Sequence, residues 1–186
     1  MPFRPAVAAR LSYLALFAAI GAWFPYLAVF FQERGLDLGE IGLMTALGAA
    51  AGLVAAPVWG VVADRFAGSP FVITAAAGIA AAGAIGLAIA DGIGFMVIAV
   101  AVVSVAIAGI GPILDARALD TVGNDRDRYG RIRAWGSAAF IVAALGTGAA
   151  IERAGASSLF PIYVGVFLWA GLFFRDERVR RLVAAR

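Results

Sequence analysis

Three chemically distinctive residue types are missing from this chain of 186 residues. It has no cysteine and no histidine, and all fifteen of its basic residues are arginine, so it has no lysine either. Without cysteine there is no disulfide, no thiol nucleophile and no thiolate metal ligand. Without histidine a metal ion would depend on carboxylates alone, and without lysine a Schiff base is excluded. We therefore predict neither a metal site nor a bound cofactor.

Charged residues are also scarce, at 15% of the chain against about 25% in soluble proteins. Six stretches contain none at all, and each is at least about 18 residues long, enough for a helix to cross a hydrocarbon core of about 30 Å. A backbone in lipid must satisfy its own hydrogen bonds, so these stretches are predicted to be helical. We predict an all-α, polytopic membrane protein with one six-helix transmembrane domain at residues 1–174, and a basic cytoplasmic tail or linker start at 175–186. Its helices are expected at about 11–32, 41–63, 70–90, 93–114, 132–151 and 157–174.

The arginines predict how the chain is oriented. If the N-terminus is cytoplasmic, thirteen of the fifteen lie on the cytoplasmic side and only Arg34 and Arg153 lie outside. This asymmetry follows the positive-inside rule, so both termini are predicted to be cytoplasmic, in a bacterial inner membrane. The lipid bilayer is then the first partner. The arginines flank membrane spans instead of covering a soluble domain, so no nucleic-acid partner is expected.

Prolines and glycines interrupt the apolar stretches at defined places. Pro25, Pro57 and Pro112 fall inside or near the ends of predicted helices, where proline removes a hydrogen bond and favours a kink. Membrane helices tolerate proline in general, and bent helices also permit rocking around a central cavity, so two interpretations remain open. Gly48 and Gly52 form a G-x-x-x-G pair, which predicts close helix packing.

The segment after the second predicted helix carries a recognisable motif. Gly60, Asp64, Arg65 and Gly68 form the pattern G-x-x-x-D-R-x-x-G. It resembles the signature G-x-x-x-D-R-x-G between the second and third helices of the major facilitator superfamily, with one extra residue before the last glycine. The resemblance implies that Asp64 caps and pairs across the bundle and gates its cytoplasmic side. An ordinary Asp-Arg turn is the alternative. The chain departs from the signature after Gly68, where Ser69 and Pro70 replace the expected basic pair.

Three further segments narrow the resemblance to one branch of that superfamily. They are Pro25-Tyr-Leu27, Pro112-Ile-Leu-Asp115-Ala116 and Tyr129-Gly-Arg-Ile-Arg-Ala-Trp-Gly-Ser137. They are similar to motifs of the phenylpropionate-permease and nucleoside-symporter-like branch. The resemblance implies half of a twelve-helix fold with a 3+3 repeat. It also implies secondary transport, by symport or uniport, of a small organic solute through alternating access.

Charged and aromatic residues near the helix ends supply the candidate site. Asp115, Arg117 and Arg133 stand where the fourth and fifth helices reach the cytoplasmic interface, either as a buried charge pair of Asp115 with Arg133 or as side chains that reach into water. Asp115 is also the one candidate for proton coupling. The aromatic candidates for a solute cavity lie on the first helix, although such rings also face lipid or neighbouring helices: Tyr13, Phe17, Phe24 and Tyr26.

A six-helix half needs a partner to enclose a solute site. We expect either a C-terminal six-helix half or a second copy of this chain, together with the small organic solute. The competing function is an oligomeric six-helix channel or a structural membrane subunit. An enzyme is not expected, because no cluster of acidic residues or histidines lies at membrane depth.

Overall fold

The computed structural model describes residues 5–66, 70–123 and 125–169, and within them the chain consists of helices joined by short connections. Five helical segments there are long and apolar enough to cross a membrane, and a sixth, Ala156–Trp169, is shorter. The all-α membrane fold is therefore confirmed. The helices are α1 (Pro5–Trp23), α2 (Leu27–Glu33), α3 (Leu38–Arg65), α4 (Pro70–Ala88), α5 (Ile93–Val122) and α6 (Arg126–Ala154), followed by a 3₁₀ turn (Ala156–Ser158) and α7 (159–169).

The first membrane span is made of two helices. α1 and α2 are separated by a turn at residues 24–26, and Pro25 stands in its middle. Proline has no N–H to donate, so a helix interruption there leaves one fewer backbone donor to satisfy. α3 and α5, by contrast, continue as single helices through Pro57 and Pro112. Kinks at those two prolines stay predictions.

The helices extend beyond the apolar stretches that predicted them. α5 continues from residue 114 to Val122, about 12 Å further along its axis. It ends at Gly123, whose φ of 59° is one that glycine adopts easily. α6 begins at Arg126, after Asp125 accepts a hydrogen bond of 2.9 Å from the Arg128 N–H. Charge-free stretches mark the part of a helix in lipid, whereas caps decide where the helix ends.

The packing order repeats between the two halves of the chain. α1 packs against α6, α3 packs against α5, and α4 also packs against α5. Because α1 and α2 together form the first membrane span, α3 is the second span, α5 the fourth and α6 the fifth. The first span therefore packs against the fifth, and the fourth packs against the second. A 3+3 repeat produces this relation.

Two aromatic side chains lock these pairs in the same way. Tyr26 donates from its hydroxyl to the Ala144 carbonyl of α6 at 2.6 Å, and its ring end covers Gly148. Trp59 of α3 donates from Nε1 to the Val105 carbonyl of α5, also at 2.6 Å, and its ring covers Gly109. In both cases the accepting carbonyl is four residues before the glycine, so the missing Cβ makes room for the ring. We call these two arrangements the aromatic clamps.

At one end of the bundle, two neighbouring charged residues join three spans. The Glu33 carboxylate accepts the Ala156 N–H at the start of the last helical segment, with both oxygens at 3.0 Å. Arg34 donates to the carbonyls of Ala88 and Ala90 at the end of α4, at 2.9 and 3.1 Å. We call this the brace end. The other end, which holds the start of α1, the end of α3 and the α5–α6 connection, is called the arginine-rich end.

Candidate functional site

Four polar side chains converge at the arginine-rich end. Asp115 of α5 accepts a hydrogen bond from the Tyr129 hydroxyl of α6 at 2.9 Å, and the Tyr13 hydroxyl of α1 donates to the same carboxylate oxygen. Arg133 Nη1 donates to the Tyr129 hydroxyl at 3.2 Å. These residues, Tyr13, Asp115, Tyr129 and Arg133, are the polar cluster. It joins α1 to the consecutive helices α5 and α6, which are about 100 residues further along the chain.

The polar cluster lies where the bundle leaves the hydrocarbon region. Asp115 is 22 residues beyond Ile93, so it stands about 33 Å along α5, whereas a hydrocarbon core is about 30 Å thick. Tyr13 is buried, Asp115 and Tyr129 are half-buried, and Arg133 is exposed. The cluster therefore has a buried floor on α1 and an open side between α5 and α6.

Asp115 and Arg133 are brought together, but through a third side chain. The sequence suggested either a direct pair or two separate charges in water. In the structure, the Tyr129 hydroxyl stands between the carboxylate and the guanidinium. Tyr129 and Arg133 are four residues apart on one helix, so they share a face. Sequence reasoning used Tyr129 only as part of a family motif, although the i,i+4 spacing to Arg133 was a usable signal.

The predicted cavity aromatics fall into two groups. Tyr13 and Phe17 stack with ring centroids 6.1 Å apart, and the Phe17 ring lies directly over Gly136 of α6, so both belong to the floor of the polar cluster. Phe24 is 69% exposed, and Tyr26 forms an aromatic clamp. Phe24 and Tyr26 lie 11 and 13 residues beyond Tyr13 along the first span.

The remaining predicted residues lie apart from these hydrogen bonds. Gly60, Asp64 and Arg65 are exposed along the last turns of α3, whereas Gly68 falls outside the described residues. Arg117 is half-buried on α5, two residues after Asp115. In the described ranges, Gly60, Asp64 and Arg65 take no part in the hydrogen bonds that define the polar cluster. Their gating and pairing roles stay predictions.

A second surface feature is an open apolar groove of about 770 Å³ along α3. Its lining has almost no polar atoms and includes the Trp59 clamp; the other residues are Leu47, Ala50, Ala51, Val54, Ala55, Val58, Val62 and Val105. α3 and α6 are also the two spans with the smallest buried share, 22% and 17%. Over the part of the chain that is described, no group of three acidic, histidine or cysteine side chains could hold a metal ion.

Comparison with known proteins agrees with this architecture. Residues 7–179 match the MFS_1 like family. The chain is 34% identical over 139 residues to the maltose permease of Geobacillus stearothermophilus, in an alignment covering 74% of this chain and 35% of that protein. Its fold is similar to the crystal structure of the nucleoside transporter NupG, with a TM-score of 0.82 and 18% identity, covering 91% of this chain and 43% of that one. The chain thus spans well under half the length of both relatives.

Proposed function

The chain belongs to the MFS_1 like family of membrane transporters and is not an enzyme, and we propose that it forms the first half of a secondary transporter for a small, hydroxyl-rich organic solute. The polar cluster carries this proposal. It places a carboxylate and a guanidinium at one opening of a bundle that is otherwise almost entirely apolar. A charge near lipid is costly unless it is paired or serves a function.

The chemistry of the polar cluster suits hydroxyl groups. A carboxylate accepts hydrogen bonds and a guanidinium donates them, so the pair can bind both sides of a sugar hydroxyl. The Phe17 ring beside the cluster adds an apolar surface on which a sugar or base could lie. The maltose permease and the nucleoside transporter are named for solutes with hydroxyl groups, which supports the same solute class.

The exposed apolar faces support the need for a partner. Leu53 and Val54 of α3 are 76% and 74% exposed, and Val142 and Leu145 of α6 are 71% and 70% exposed. We propose that a second six-helix half covers these faces and that the solute site is completed between the halves, where one bundle rocks against the other. A second copy of this chain is the alternative partner.

Uptake measurements test the solute site. The gene that carries this chain, expressed whole in a transport-deficient host, should take up either [14C]maltose or [3H]uridine. Asp115→Asn and Arg133→Gln should each lower this uptake at least about tenfold, because each removes a charge that hydrogen bonds the solute. Asp120→Asn, an exposed acid five residues further along α5, is the matched control and should transport normally. Normal uptake by both cluster variants would contradict the proposed site.

Proton coupling follows from the same residue. Asp115 is the acidic side chain of the polar cluster, so a coupled proton in this half of the transporter would bind there. An uncoupler that collapses the proton gradient should then abolish accumulation by the wild type, whereas the residual uptake by Asp115→Asn should not respond to it. Uncoupler-resistant accumulation by the wild type would exclude proton coupling.

The need for a partner has its own test. The 186-residue chain, reconstituted in liposomes as a proven monomer, should give no flux of either probe, because one wall of the solute site is missing. Subunit stoichiometry is measured in the same preparation. Robust flux from a monomer would show that neither a second half nor a second copy is needed.

A further inference from the structure

The hydroxyl of Tyr129 forms hydrogen bonds with both charged members of the polar cluster. It donates to Asp115 at 2.9 Å and accepts from Arg133 at 3.2 Å. Tyr129 and Arg133 are one turn apart on α6, whereas Asp115 comes from α5. The distance between the two charged groups is therefore set by one phenol oxygen.

The hydrogen-bonding capacity of the cluster is only partly used. A tyrosine hydroxyl has one hydrogen to donate, and Tyr129 gives it to Asp115. Tyr13 and Tyr129 both donate to Oδ1 of Asp115, and among the described residues Oδ2 accepts no hydrogen bond. To the residues that the structure describes, Arg133 donates through Nη1 alone, although a guanidinium carries five N–H groups. One acceptor and several donors thus remain side by side.

A direct ion pair would remove this capacity. An arginine and a carboxylate in contact prefer a two-pronged pair that uses both carboxylate oxygens and two guanidinium nitrogens. In the structure, the Tyr129 hydroxyl bridges the two groups instead. Resting on the proposed function, we propose that Tyr129 is a positioning residue that holds Asp115 and Arg133 apart, so that a pair of neighbouring solute hydroxyls fits between Oδ2 and the guanidinium.

The substitution Tyr129→Phe tests this role against a matched control. It deletes the hydroxyl, so the two charges should close into a direct pair and leave less room for a diol. Tyr13→Phe removes the other donor to the same Asp115 oxygen, whereas Arg133 donates to Tyr129 and not to Tyr13. We expect Tyr129→Phe to raise the KM for uptake about tenfold with little change in maximal rate, and Tyr13→Phe to raise it much less.

Solute discrimination provides a readout that a structural role would not change. Uptake of uridine is compared with 2′-deoxyuridine, and uptake of maltose with 2-deoxymaltose. The wild type should prefer the solute with the intact hydroxyl pair, and Tyr129→Phe should lose most of that preference. Tyr129→Gln, whose amide can both donate and accept, should recover part of it. If the Phe variant fails to reach the membrane, Tyr129→Gln is compared with Tyr129→Leu instead.

The outcomes separate this inference from the proposed function. If Asp115→Asn abolishes uptake while Tyr129→Phe and Tyr13→Phe behave alike, Tyr129 has no positioning role and the solute site still stands. An unchanged preference for the intact hydroxyl pair in Tyr129→Phe has the same meaning. If the wild type transports neither probe, or Asp115→Asn transports normally, the proposed function is wrong and the role of Tyr129 is rejected with it.

Discussion

The two ends of this bundle use their charged residues in opposite ways. At the brace end, the hydrogen bonds of Glu33 and Arg34 among the described residues go to backbone groups, at a helix start and at a helix end. At the arginine-rich end, Asp115 and Arg133 bond to side-chain hydroxyls. A carboxylate at a helix start and a guanidinium at a helix end match the helix dipole, so these two charges stabilise the ends of the helices they contact.

This difference indicates which charged residues of a nearly uncharged protein are available for function. The backbone groups that Glu33 and Arg34 bind are fixed by the fold, and exchanging them for a solute would expose helix ends. Within the described ranges, the polar cluster keeps an acceptor and several donors without a hydrogen-bond partner, and Arg133 is exposed. Charges that satisfy the backbone hold the structure, whereas charges that satisfy other side chains can exchange partners.

The largest expected effect concerns the side of the membrane that each end of the bundle faces. The chain has no cysteine, so single substitutions report without background. Asp91→Cys stands at the brace end and Asp120→Cys at the arginine-rich end, and both positions are exposed. In intact cells a membrane-impermeant maleimide should label Asp91→Cys fully and Asp120→Cys not at all, because arginine-rich ends stay cytoplasmic.

Permeabilised cells provide the control, since both cysteines should then react. Labelling of Asp120→Cys in intact cells would reverse the predicted orientation and place both termini outside.

A smaller effect is expected at Asp64, which lies at the arginine-rich end but outside the polar cluster. The signature it belongs to resembles a family gate, so Asp64→Asn should lower the maximal uptake rate severalfold without changing KM. Asp120→Asn is again the matched control. An unchanged maximal rate would reassign Asp64 to an ordinary turn.

The smallest effects are expected at the brace end, and they concern stability. Glu33→Ala removes a helix-start acceptor, and losses of this kind cost about 1 kcal/mol. Arg34→Ala removes a charge at a helix end, worth roughly 0.3–1 kcal/mol. Both variants should lower the apparent Tm in detergent and leave the KM for uptake unchanged.

Glu152→Ala, an exposed acid near the same end, controls for the loss of a charge alone and should melt like the wild type. A large change in KM at Glu33 or Arg34 would break the distinction between the two ends.

The helical fold could be predicted from the sequence because a backbone in lipid must satisfy its own hydrogen bonds. Long apolar stretches in a bilayer must be helical, and the close packing predicted for Gly48 is confirmed by its burial against Val100 and Ser104. The helix ends were less predictable. α5 continues to Val122 through charged residues because a cap, and not the edge of the apolar stretch, ends it.

The site was predicted only in part, for a different reason. Asp115 and Arg133 were noticed because charges are rare in this chain. The hydrogen bond of Tyr129 to Asp115 could not be predicted, because it forms only when α5 and α6 pack beside Tyr13 of α1. That packing joins residues about 100 positions apart in the sequence. Glu33 and Arg34 read simply as charges of an external loop, since their partners are backbone groups of α4 and of the last helical segment.

The aromatic clamps impose a rule on how this protein can vary. An alanine at position 148 would place a methyl group where the Tyr26 hydroxyl lies, and one at position 109 would collide with the Trp59 ring. Tyr26→Phe and Trp59→Phe look harmless by hydropathy, yet each deletes a hydrogen bond between two spans. We therefore expect a substitution of the ring or of its glycine to be tolerated only together with a compensating substitution of the other residue.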